Sequence, residues 1–391
     1  MDFYGNNEYN DGFSYENWGG YNLLAKLNLR NPQVRDYLLD TVRFWVREFD
    51  IDGLRLDAAD VLDFDFMRAL RYETSLLKPD FWLMGEVIHG DYSRWANGDT
   101  LHAVTNYHLH KALYSGHNDH NYFEIAHTVK RQLELGSGRL YNFVDNHDVE
   151  RIYTKLRNKA HFLPVHVLLY TLPGIPSLYY GSEFGIEGKK ERYSDASLRP
   201  CLCLDEMPKN ACLEIITALG RVYNQEPALW QGDYREMQLT TTQYAFARGD
   251  VIITVNNGDC PAWFDLGAEG AYTGALSGRT VSAENGRLRM ELEANGGEIW
   301  IPQSRRQTSF QPITKKPGPI PAPAPRPAPR QEAAPIAPPA GKSYDEMTVE
   351  ELQSAILAKM AANGPLTDRM RRDVEENVYR NSLLNWVKSF R

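Results

Sequence analysis

Residues 52–60 of this chain read Asp-Gly-Leu-Arg-Leu-Asp-Ala-Ala-Asp. Two leucines alternate with glycine and arginine up to the carboxylate of Asp57, and patterns typical of helices stand on both sides. The stretch therefore predicts a strand–helix repeat with Asp57 at the C-terminal end of a parallel strand. In barrels built from such repeats, that end of the strands carries the catalytic groups. Taken alone, the stretch fits an aspartate that caps the following helix equally well.

Two later stretches have the same form. Residues 81–87 read Phe-Trp-Leu-Met-Gly-Glu-Val and bring Glu86 to the end of an apolar run. Residues 141–148 read Tyr-Asn-Phe-Val-Asp-Asn-His-Asp and end on Asp148, beside His147. Three predicted strands that each deliver an acidic group to one rim indicate a functional site rather than three helix caps.

These stretches resemble the signature regions of the α-amylase superfamily, glycoside hydrolase family 13, in its neopullulanase and cyclomaltodextrinase-like form. Residues 24–28 resemble the family's motif before its third barrel helix, and residues 174–183 resemble its eighth strand and the exit from it. Asp195 and Arg199 resemble the aspartate–arginine pattern that follows. The resemblance covers residues 3–300, and five motifs in the family's order make it specific.

The resemblance implies a role for each carboxylate of the rim. Asp57 corresponds to the nucleophile, Glu86 to the general acid/base, and Asp148 to the carboxylate that stabilises the transition state. Hydrolysis with retention needs two carboxyls on opposite sides of the anomeric carbon, roughly 5–5.5 Å apart. The resemblance also implies that His147 donates a hydrogen bond to the same sugar as Asp148.

Further site residues come partly from the resemblance and partly from the local pattern. By resemblance, Asp195 and Arg199 contact a sugar unit further from the bond that is cut. Arg55 lies two residues from Asp57 on the same face of the predicted strand, so that we expect its guanidinium to keep Asp57 ionised. The apolar neighbours of Glu86 in sequence predict an apolar surround that raises the pKa of this carboxyl.

The stretch after Asp57 departs from the family pattern. Starch-degrading amylases often have Lys-His where this chain has Asp60 and Val61, and cyclomaltodextrinase-like members have Asn-Glu. The contacts to the leaving-side sugar, and with them the preferred substrate, stay open.

The order of predicted elements makes the chain α/β. Residues 31–228 contain five predicted parallel strands, which the resemblance equates with about strands 4 to 8 of a (β/α)8 TIM barrel. A closed barrel needs eight, and the family's third-strand motif is not found, so that we expect a partial, N-terminally truncated barrel of uncertain catalytic competence. Such an open sheet has free edges, which an interface between copies could cover.

The segment before the barrel is rich in Asn, Gly, Tyr and Asp. Residues 1–30 are therefore predicted to be loop, with neither strand nor helix. By resemblance they are a remnant of the loop domain that overhangs the active site. Trp18 lies between Asn17 and two glycines. This ring is suited to stacking on a sugar or, equally, to packing at a hinge.

Three further regions follow the barrel. Residues 229–303 contain short strands separated by Asn-Gly turns and predict a β-sandwich. Residues 304–342 are rich in Pro and Ala and predict a semi-rigid linker. Residues 343–391 predict a small helical module that begins with a capping box at Thr348–Glu351. The resemblance does not extend to this module, which serves either for docking and self-association or as a helical cap on the same molecule.

Composition narrows the class of protein. The formal charge of −8 argues against nucleic acid as a partner. The chain opens on no signal peptide and has no apolar run of about 18 residues, so that we expect a cytoplasmic protein without a membrane partner. The 4 cysteines show no zinc or disulfide pattern and are predicted to be free thiols.

Four histidines stand close together in sequence, at positions 108, 110, 117 and 120. Such a group can suggest a metal, but no cysteine supports it, and we expect neither a metal nor a cofactor. The chain is therefore predicted to be a retaining glycoside hydrolase that cleaves α-1,4-glucosidic bonds in maltodextrin, cyclodextrin or pullulan-like α-glucans. Transglycosylation is an open variant. The alternative is a catalytically incompetent carbohydrate-binding or docking protein.

Overall fold

The computed structural model describes most of the chain. The described residues are 15–18, 20–136, 140–192, 194–305, 312–314, 317, 343–362, 371, 374–375, 383–384 and 387–388. Two compact units contain them, residues 1–320 and residues 321–391. Residues 318–342, the greater part of the predicted linker, lie outside the described residues.

The first described element is a short antiparallel hairpin of β1, Asn17–Trp18, and β2, Tyr21–Ala25. The prediction that residues 1–30 contain no strand is therefore wrong for this segment. The reason is turn chemistry: Gly20 has a left-handed φ of 88°, and its N–H donates to the Asn17 side chain at 2.9 Å. A flexible composition with little alternation of apolar residues hides such a turn.

Strand–helix repeats follow the hairpin. The elements are α1 Pro32–Phe49, β3 Gly53–Leu56, α2 Phe64–Leu77, β4 Trp82–Gly85, β5 Ala103–Val104, α3 Tyr107–Asn118, α4 Tyr122–Glu134, β6 Tyr141–Phe143, α5 Ile152–Lys155, α6 Phe162–Thr171 and β7 Ile175–Ser177. Strands β3, β4 and β5 pair in parallel, as do β6 and β7. A parallel bridge from Thr105 to Tyr141 joins the two groups. The five predicted strands thus lie side by side in chain order.

Local sequence fixes the ends of these elements. The Asn31 side chain accepts from the N–H of Gln33 at 2.9 Å, and Pro32 occupies the first turn of α1. The helix ends at Asp50, whose φ of 52° is left-handed. Asn106 caps α3 in the same way by accepting from Leu109 N–H. Because Asn106 directly follows β5, this cap places the first residue of α3 at the rim of the sheet.

The C-terminal part of this unit is a β-sandwich. After α7 Ala211–Gln225 and α8 Ala228–Gln231 come β8 Tyr234–Leu239, β9 Gln243–Arg248, β10 Val251–Asn256, β11 Ala262–Gly267, β12 Ala271–Gly274, β13 Thr280–Ser282, β14 Arg287–Leu292 and β15 Gly297–Pro302. One sheet has the order β13-β12-β15-β10-β9-β8, and β11 pairs with β14. Phe264, Leu288 and Trp300 are buried between the sheets. Gly297 permits close packing on α6, since a Cβ there would meet Val167 at 2.9 Å.

The second unit contains α9, Val349–Ala362. The predicted capping box is confirmed: Glu351 N–H donates to Thr348 Oγ1 at 3.3 Å, and Thr348 N–H donates to Glu351 Oε2 at 2.7 Å. The helix packs on its own small core, whose buried members are Met347, Leu352, Ala355, Ile356, Leu357, Val374, Leu383 and Val387. The four cysteines are free thiols, as predicted. Within the described part of the chain, every helix is too short or too polar to cross a bilayer.

Candidate active site

The register between β3 and β4 determines which two carboxylates lie at the centre of the site. Leu56 of β3 pairs with Gly85 of β4, so that Asp57 and Glu86 leave the sheet side by side at the same rim. Gly85 is required there, because a Cβ would lie 2.5 Å from Leu101 and 2.7 Å from Ala59. The chain turns sharply at Ala58, whose left-handed φ of 43° is strained for an alanine. The turn aims the Ala58 N–H at Glu86, with 3.3 Å to Oε2.

One guanidinium joins the two carboxylates. Arg55 contacts Asp57 Oδ1 through Nη1 and Glu86 Oε2 through Nη2, the second at 3.0 Å. Partial burial pulls the pKa of Asp57 upward, but hydrogen bonds from Arg55 and Glu86, together with the Arg55 charge, outweigh it and leave this pKa below its ordinary value. The structure thus brings Arg55 to Asp57 as the strand alternation predicts, and it favours an ionised Asp57.

The surroundings of Glu86 are polar. Besides Arg55 and the Ala58 N–H, the Tyr107 hydroxyl lies 3.2 Å from Glu86 Oε1. The predicted apolar surround is therefore wrong. The residues that precede Glu86 in sequence stay in the sheet, whereas its own side chain leaves the strand end and meets groups from β3 and α3.

A second set of predicted residues lies together beyond β6. Arg199 Nη2 contacts Asp148 Oδ1 at 2.8 Å and Asp195 Oδ2 at 3.1 Å. His147 Nε2 lies 3.0 Å from Asp148 Oδ2, and Arg199 Nε donates to the His147 carbonyl at 3.1 Å. Asn146 Oδ1 accepts from the Asp148 N–H at 2.8 Å and so fixes the turn. Four residues that are spread over 53 positions of sequence form one network.

Tyr107 links the two sets, and sequence reasoning missed it. Asn146 Nδ2 donates to the Tyr107 hydroxyl at 3.3 Å, and that hydroxyl faces Glu86. Burial raises the pKa of Tyr107 to about 12, so that the phenol stays protonated and can donate. The negative charge of Asp148 contributes to raising the pKa of both Arg55 and Tyr107. The sequence signal that could have identified Tyr107 is its position, since it is the first residue of the helix that follows a barrel strand. Arg55, Asp57, Glu86, Tyr107 and Asp148 are called the rim cluster below.

Trp18 stands apart from the rim cluster. Its ring is 45% exposed and stacks on Tyr21 of the hairpin at 5.8 Å. Among the described residues, no ring contact or hydrogen bond brings Trp18 to the carboxylates. The structure thus leaves this ring available on the hairpin without joining it to the other predicted site residues.

A second arginine–carboxylate group lies beneath the rim. Arg151 is fully buried and donates to the carbonyls of Tyr180 and Leu198 and, at 3.1 Å, to the Ser182 hydroxyl. Asp145 accepts from the Ser182 hydroxyl and the Ile152 N–H, both at 2.8 Å. Burial raises the pKa of Asp145 to about 6. Asp145, Arg151 and Ser182, called the buried cluster, tie β6 to the segment after β7.

The four histidines singled out in the sequence do not converge. His108 and His110 line a cleft beside α3. The ring centroid of His161 lies 5.5 Å from that of His117 and 5.4 Å from that of His120. Among the side chains that the structure describes, no three or more His, Cys, Asp or Glu are arranged to hold a metal ion.

Known proteins show the same fold and sequence pattern. Residues 7–246 match the family model described as "Alpha amylase, catalytic domain". An intracellular maltogenic amylase of Bacillus subtilis (strain 168) is 34% identical over 226 residues, which are 55% of this chain and 37% of that protein. A cyclomaltodextrinase of Geobacillus thermopakistaniensis (strain MAS1) is 30% identical over 74% of this chain and 52% of that protein. A solved cyclomaltodextrinase structure superposes with a TM-score of 0.67 at 25% identity, over 74% of this chain and 52% of the other. The chain spans about half the length, or less, of these relatives.

Proposed function

Because the chain belongs to the α-amylase family, we propose that it hydrolyses α-1,4-glucosidic bonds in maltodextrin, cyclodextrin or pullulan-like α-glucans with retention of configuration. The observation that carries the proposal is the single Arg55 guanidinium between the carboxylates of Asp57 and Glu86. It supports an arrangement in which one carboxylate stays ionised beside a second that exchanges a proton.

The first chemical step uses these two groups in opposite roles. An oxygen of Asp57 attacks the anomeric carbon and forms a covalent glycosyl ester, while the glycosidic C–O bond breaks. Glu86 gives its proton to the departing oxygen, so that the leaving sugar departs neutral.

The second step returns the enzyme to its starting state. Glu86, now ionised, takes a proton from water as the water oxygen attacks the anomeric carbon and releases Asp57. Tyr107 and the Ala58 N–H hold Glu86 in place through both steps. If a sugar hydroxyl takes the place of water, the same step becomes transglycosylation.

The network beyond β6 supplies the sugar contacts in this proposal. Asp148 and His147 bind the sugar at the point of cleavage, and Asp148 stabilises the positive charge that develops in the transition state. Asp195 and Arg199 bind a sugar unit further along. Trp18, exposed on the hairpin, is proposed to stack on a distal part of the glucan.

The proposed substrate class also draws on the relatives' names. Those names are maltogenic amylase, cyclomaltodextrinase and neopullulanase. Asp60 and Val61 lie in the short 3-10 helix after Asp57, and both are exposed. We propose that they face the leaving-side sugar. Their difference from the family pattern supports a leaving-side preference of this chain's own, which product analysis on the three glucans would measure.

The cellular location is proposed from the name of a relative, and a protein partner is proposed from the helical module. The name "Intracellular maltogenic amylase" supports a cytoplasmic location, which cell fractionation checks. The helical module of residues 343–391 is proposed as a contact to a second copy or to another protein. A mass measurement in solution with and without this module would test that role.

Release of reducing ends from maltodextrin tests the function. The unaltered chain should release them, and both Asp57→Asn and Glu86→Gln should lower the rate by about 10²–10⁴-fold, the range for loss of a catalytic acid or base. Asp36→Asn, an exposed aspartate of α1, is the matched control and should leave the rate unchanged. Full activity in either rim variant would refute the assignment.

The alternative is a glucan-binding protein without turnover. One observation favours it: among the described residues β3 pairs only with β4, and Tyr37 and Phe49 of α1 are 71% and 66% exposed. A described sheet with β3 at its edge offers a platform for sugar without a closed catalytic pocket around it. Saturable binding of maltodextrin by the unaltered chain, with no reducing ends released, would establish this alternative.

A further inference from the structure

A second cleft lies next to the rim, between α3, α4 and the loop after β4. Its volume is about 400 Å³. Most of its polar lining is basic or imidazole, contributed by His89, His108, His110, Lys111, His127 and Arg131. Tyr107 lines this cleft too and is its link to the rim cluster. None of the proposed steps at the rim uses the basic groups.

Among the described residues, Arg131 is the charged side chain of the cleft that has no hydrogen-bond or ion-pair partner. It lies on α4 and is exposed, and among the described residues its guanidinium makes neither a hydrogen bond nor an ion pair. A guanidinium offers five N–H donors in a planar fork, which suits two oxygens of one anion. Arg131 therefore presents unused donors to the cleft that it lines.

The imidazoles gather around this cation. Burial, the Arg131 charge and His89 all lower the pKa of His108, which shows that the three groups lie within electrostatic reach. His127 stands one turn before Arg131 on the same helix and also lines the cleft. A neutral imidazole still offers one N–H donor to an anion in the cleft.

The acidic groups nearby are engaged elsewhere. Glu124 contacts Lys111 Nζ and accepts from the Ser115 hydroxyl at 2.8 Å. Asp91 is within electrostatic reach of Arg131, but its carboxylate accepts from the Ser93 N–H at 3.0 Å and the Ser93 hydroxyl at 2.7 Å. The pair Lys111–Glu124 is neutral as a unit, and Asp91 balances part of the Arg131 charge without a hydrogen bond to its guanidinium among the described residues, so that the N–H donors of Arg131 remain open to a ligand.

The cleft is larger than an inorganic anion needs. Its volume falls in the range of sites for small organic ligands, roughly 300–1,000 Å³. Apolar surface from Ile88, Tyr92 and Leu135 forms part of the wall, and the ring of Tyr92 stacks on His108 with 4.7 Å between centroids. One guanidinium and several imidazole N–H donors beside aromatic surface fit an anionic group that is attached to a small sugar ring.

We propose that this cleft binds a phosphate group carried by a small sugar, with Arg131 as the bidentate anchor and His89, His108 and His127 as further donors. The sugar ring lies against the wall formed by Ile88, Tyr92 and Leu135. Because Tyr107 lines both sites, the ligand lies beside the hydrogen bond from Tyr107 to Glu86. The proposal does not depend on turnover at the rim.

Titration calorimetry at constant ionic strength tests the proposal with three probes: glucose 6-phosphate, inorganic phosphate and glucose. We expect glucose 6-phosphate to bind more tightly than inorganic phosphate and glucose to give no signal at the same concentration. Arg131→Ala should weaken binding of glucose 6-phosphate by about tenfold or more, since hydrogen bonds to charged groups are strong. Lys130→Ala, which removes the same charge from the neighbouring position outside the cleft lining, should bind as the unaltered chain does.

Two further variants guard against loss of folding. Arg131→Lys keeps the charge but loses the fork, and His127→Ala removes one donor; each should weaken binding less than Arg131→Ala does. A thermal melt of each variant checks that it is folded. Equal affinity of Arg131→Ala and the unaltered chain would overturn the proposal, as would the absence of binding by both phosphate compounds. Inorganic phosphate binding as tightly as the ester would overturn the assignment to a sugar ester.

Discussion

The rim cluster and the buried cluster each contain an arginine and an aspartate, but the side chains of the two clusters differ in the fraction of their surface that is exposed to solvent. Arg55 of the rim has 33% of its side chain exposed, and its partner Asp57 has 80%. Arg151 of the buried cluster has no exposed surface, and Asp145 has 1%. The two groups lie on the same ends of neighbouring strands, so that strand position alone does not separate them.

This difference shows what each group can do. A charged side chain that faces solvent can contact a substrate. It can also gain or lose a proton with little change in the stability of the fold. A buried charge must have its partners inside the protein, and its removal leaves the remaining groups unpaired. We therefore expect changes at the rim to act on turnover and changes in the buried cluster to act on stability.

Of the two arginines, the rim arginine should have the larger effect on turnover when it is lost. Arg55→Ala removes the group that keeps Asp57 ionised and holds Glu86, so that turnover of maltodextrin should fall by about 10²–10³-fold. The free energy of unfolding, from urea titration, should change by less than about 1 kcal/mol. Arg289→Ala, an exposed arginine of the sandwich, is the control for both quantities. A variant that keeps its turnover but loses its stability would break the comparison.

Loss of the buried arginine should lower the stability of the fold, whereas loss of the rim arginine should lower turnover. Arg151→Ala leaves the carbonyls of Tyr180 and Leu198 without their donor and Asp145 without its counter-charge. The free energy of unfolding should fall by about 3–5 kcal/mol. Arg157→Ala removes an exposed pair with Asp119 and should cost less than about 1 kcal/mol in the same titration. Similar losses in both variants would contradict the structural role of the buried cluster.

The pH dependence of stability sharpens the comparison. Burial lowers the pKa of His110 and His166 to about 4 and that of His117 to about 3. The unfolded chain binds protons at these positions below about pH 6.5, whereas the folded chain does not, so that the free energy of unfolding should fall between pH 6.5 and 4.

Asp145 works against this trend. Its pKa of about 6 in the folded chain means that the folded state keeps a proton that the unfolded state releases above about pH 4. This group contributes stability below pH 4 that is lost as the pH rises through 6. Asp145→Asn should therefore make the fall in stability toward low pH steeper. Urea titrations of both chains at several pH values measure the slopes, and a shallower slope in the variant would contradict the buried state of Asp145.

The sequence alone was sufficient to predict the positions of the candidate site residues that lie directly after strands. Glu86 ends an apolar run, Asp57 ends a run in which leucines alternate with glycine and arginine, and parallel pairing of the two runs places both carboxylates at one rim. It was also sufficient to group Asp148 with His147, which are adjacent in the chain. The capping box of α9 was predictable because its hydrogen bonds are local.

Other features depend on contacts between distant elements. Tyr107 reaches Glu86 only because α3 begins directly at the rim, and the pairing of Asn146 with Tyr107 spans 39 positions. The polar surround of Glu86 comes from β3 and α3, so that its apolar neighbours in sequence were misleading. The hairpin of residues 17–25 depends on the left-handed turn at Gly20, which no apolar pattern announces.

Trapping the glycosyl-enzyme intermediate is the measurement that decides most directly between catalysis and binding. Glu86→Gln should react with α-maltosyl fluoride, because fluoride leaves without a proton, and then stall because no base activates water. Intact mass and peptide mapping should show one maltosyl adduct, carried by Asp57, and none in the double variant that also has Asp57→Asn. An adduct on another residue, or none at all with an otherwise folded chain, would contradict the assignment of Asp57 as the nucleophile.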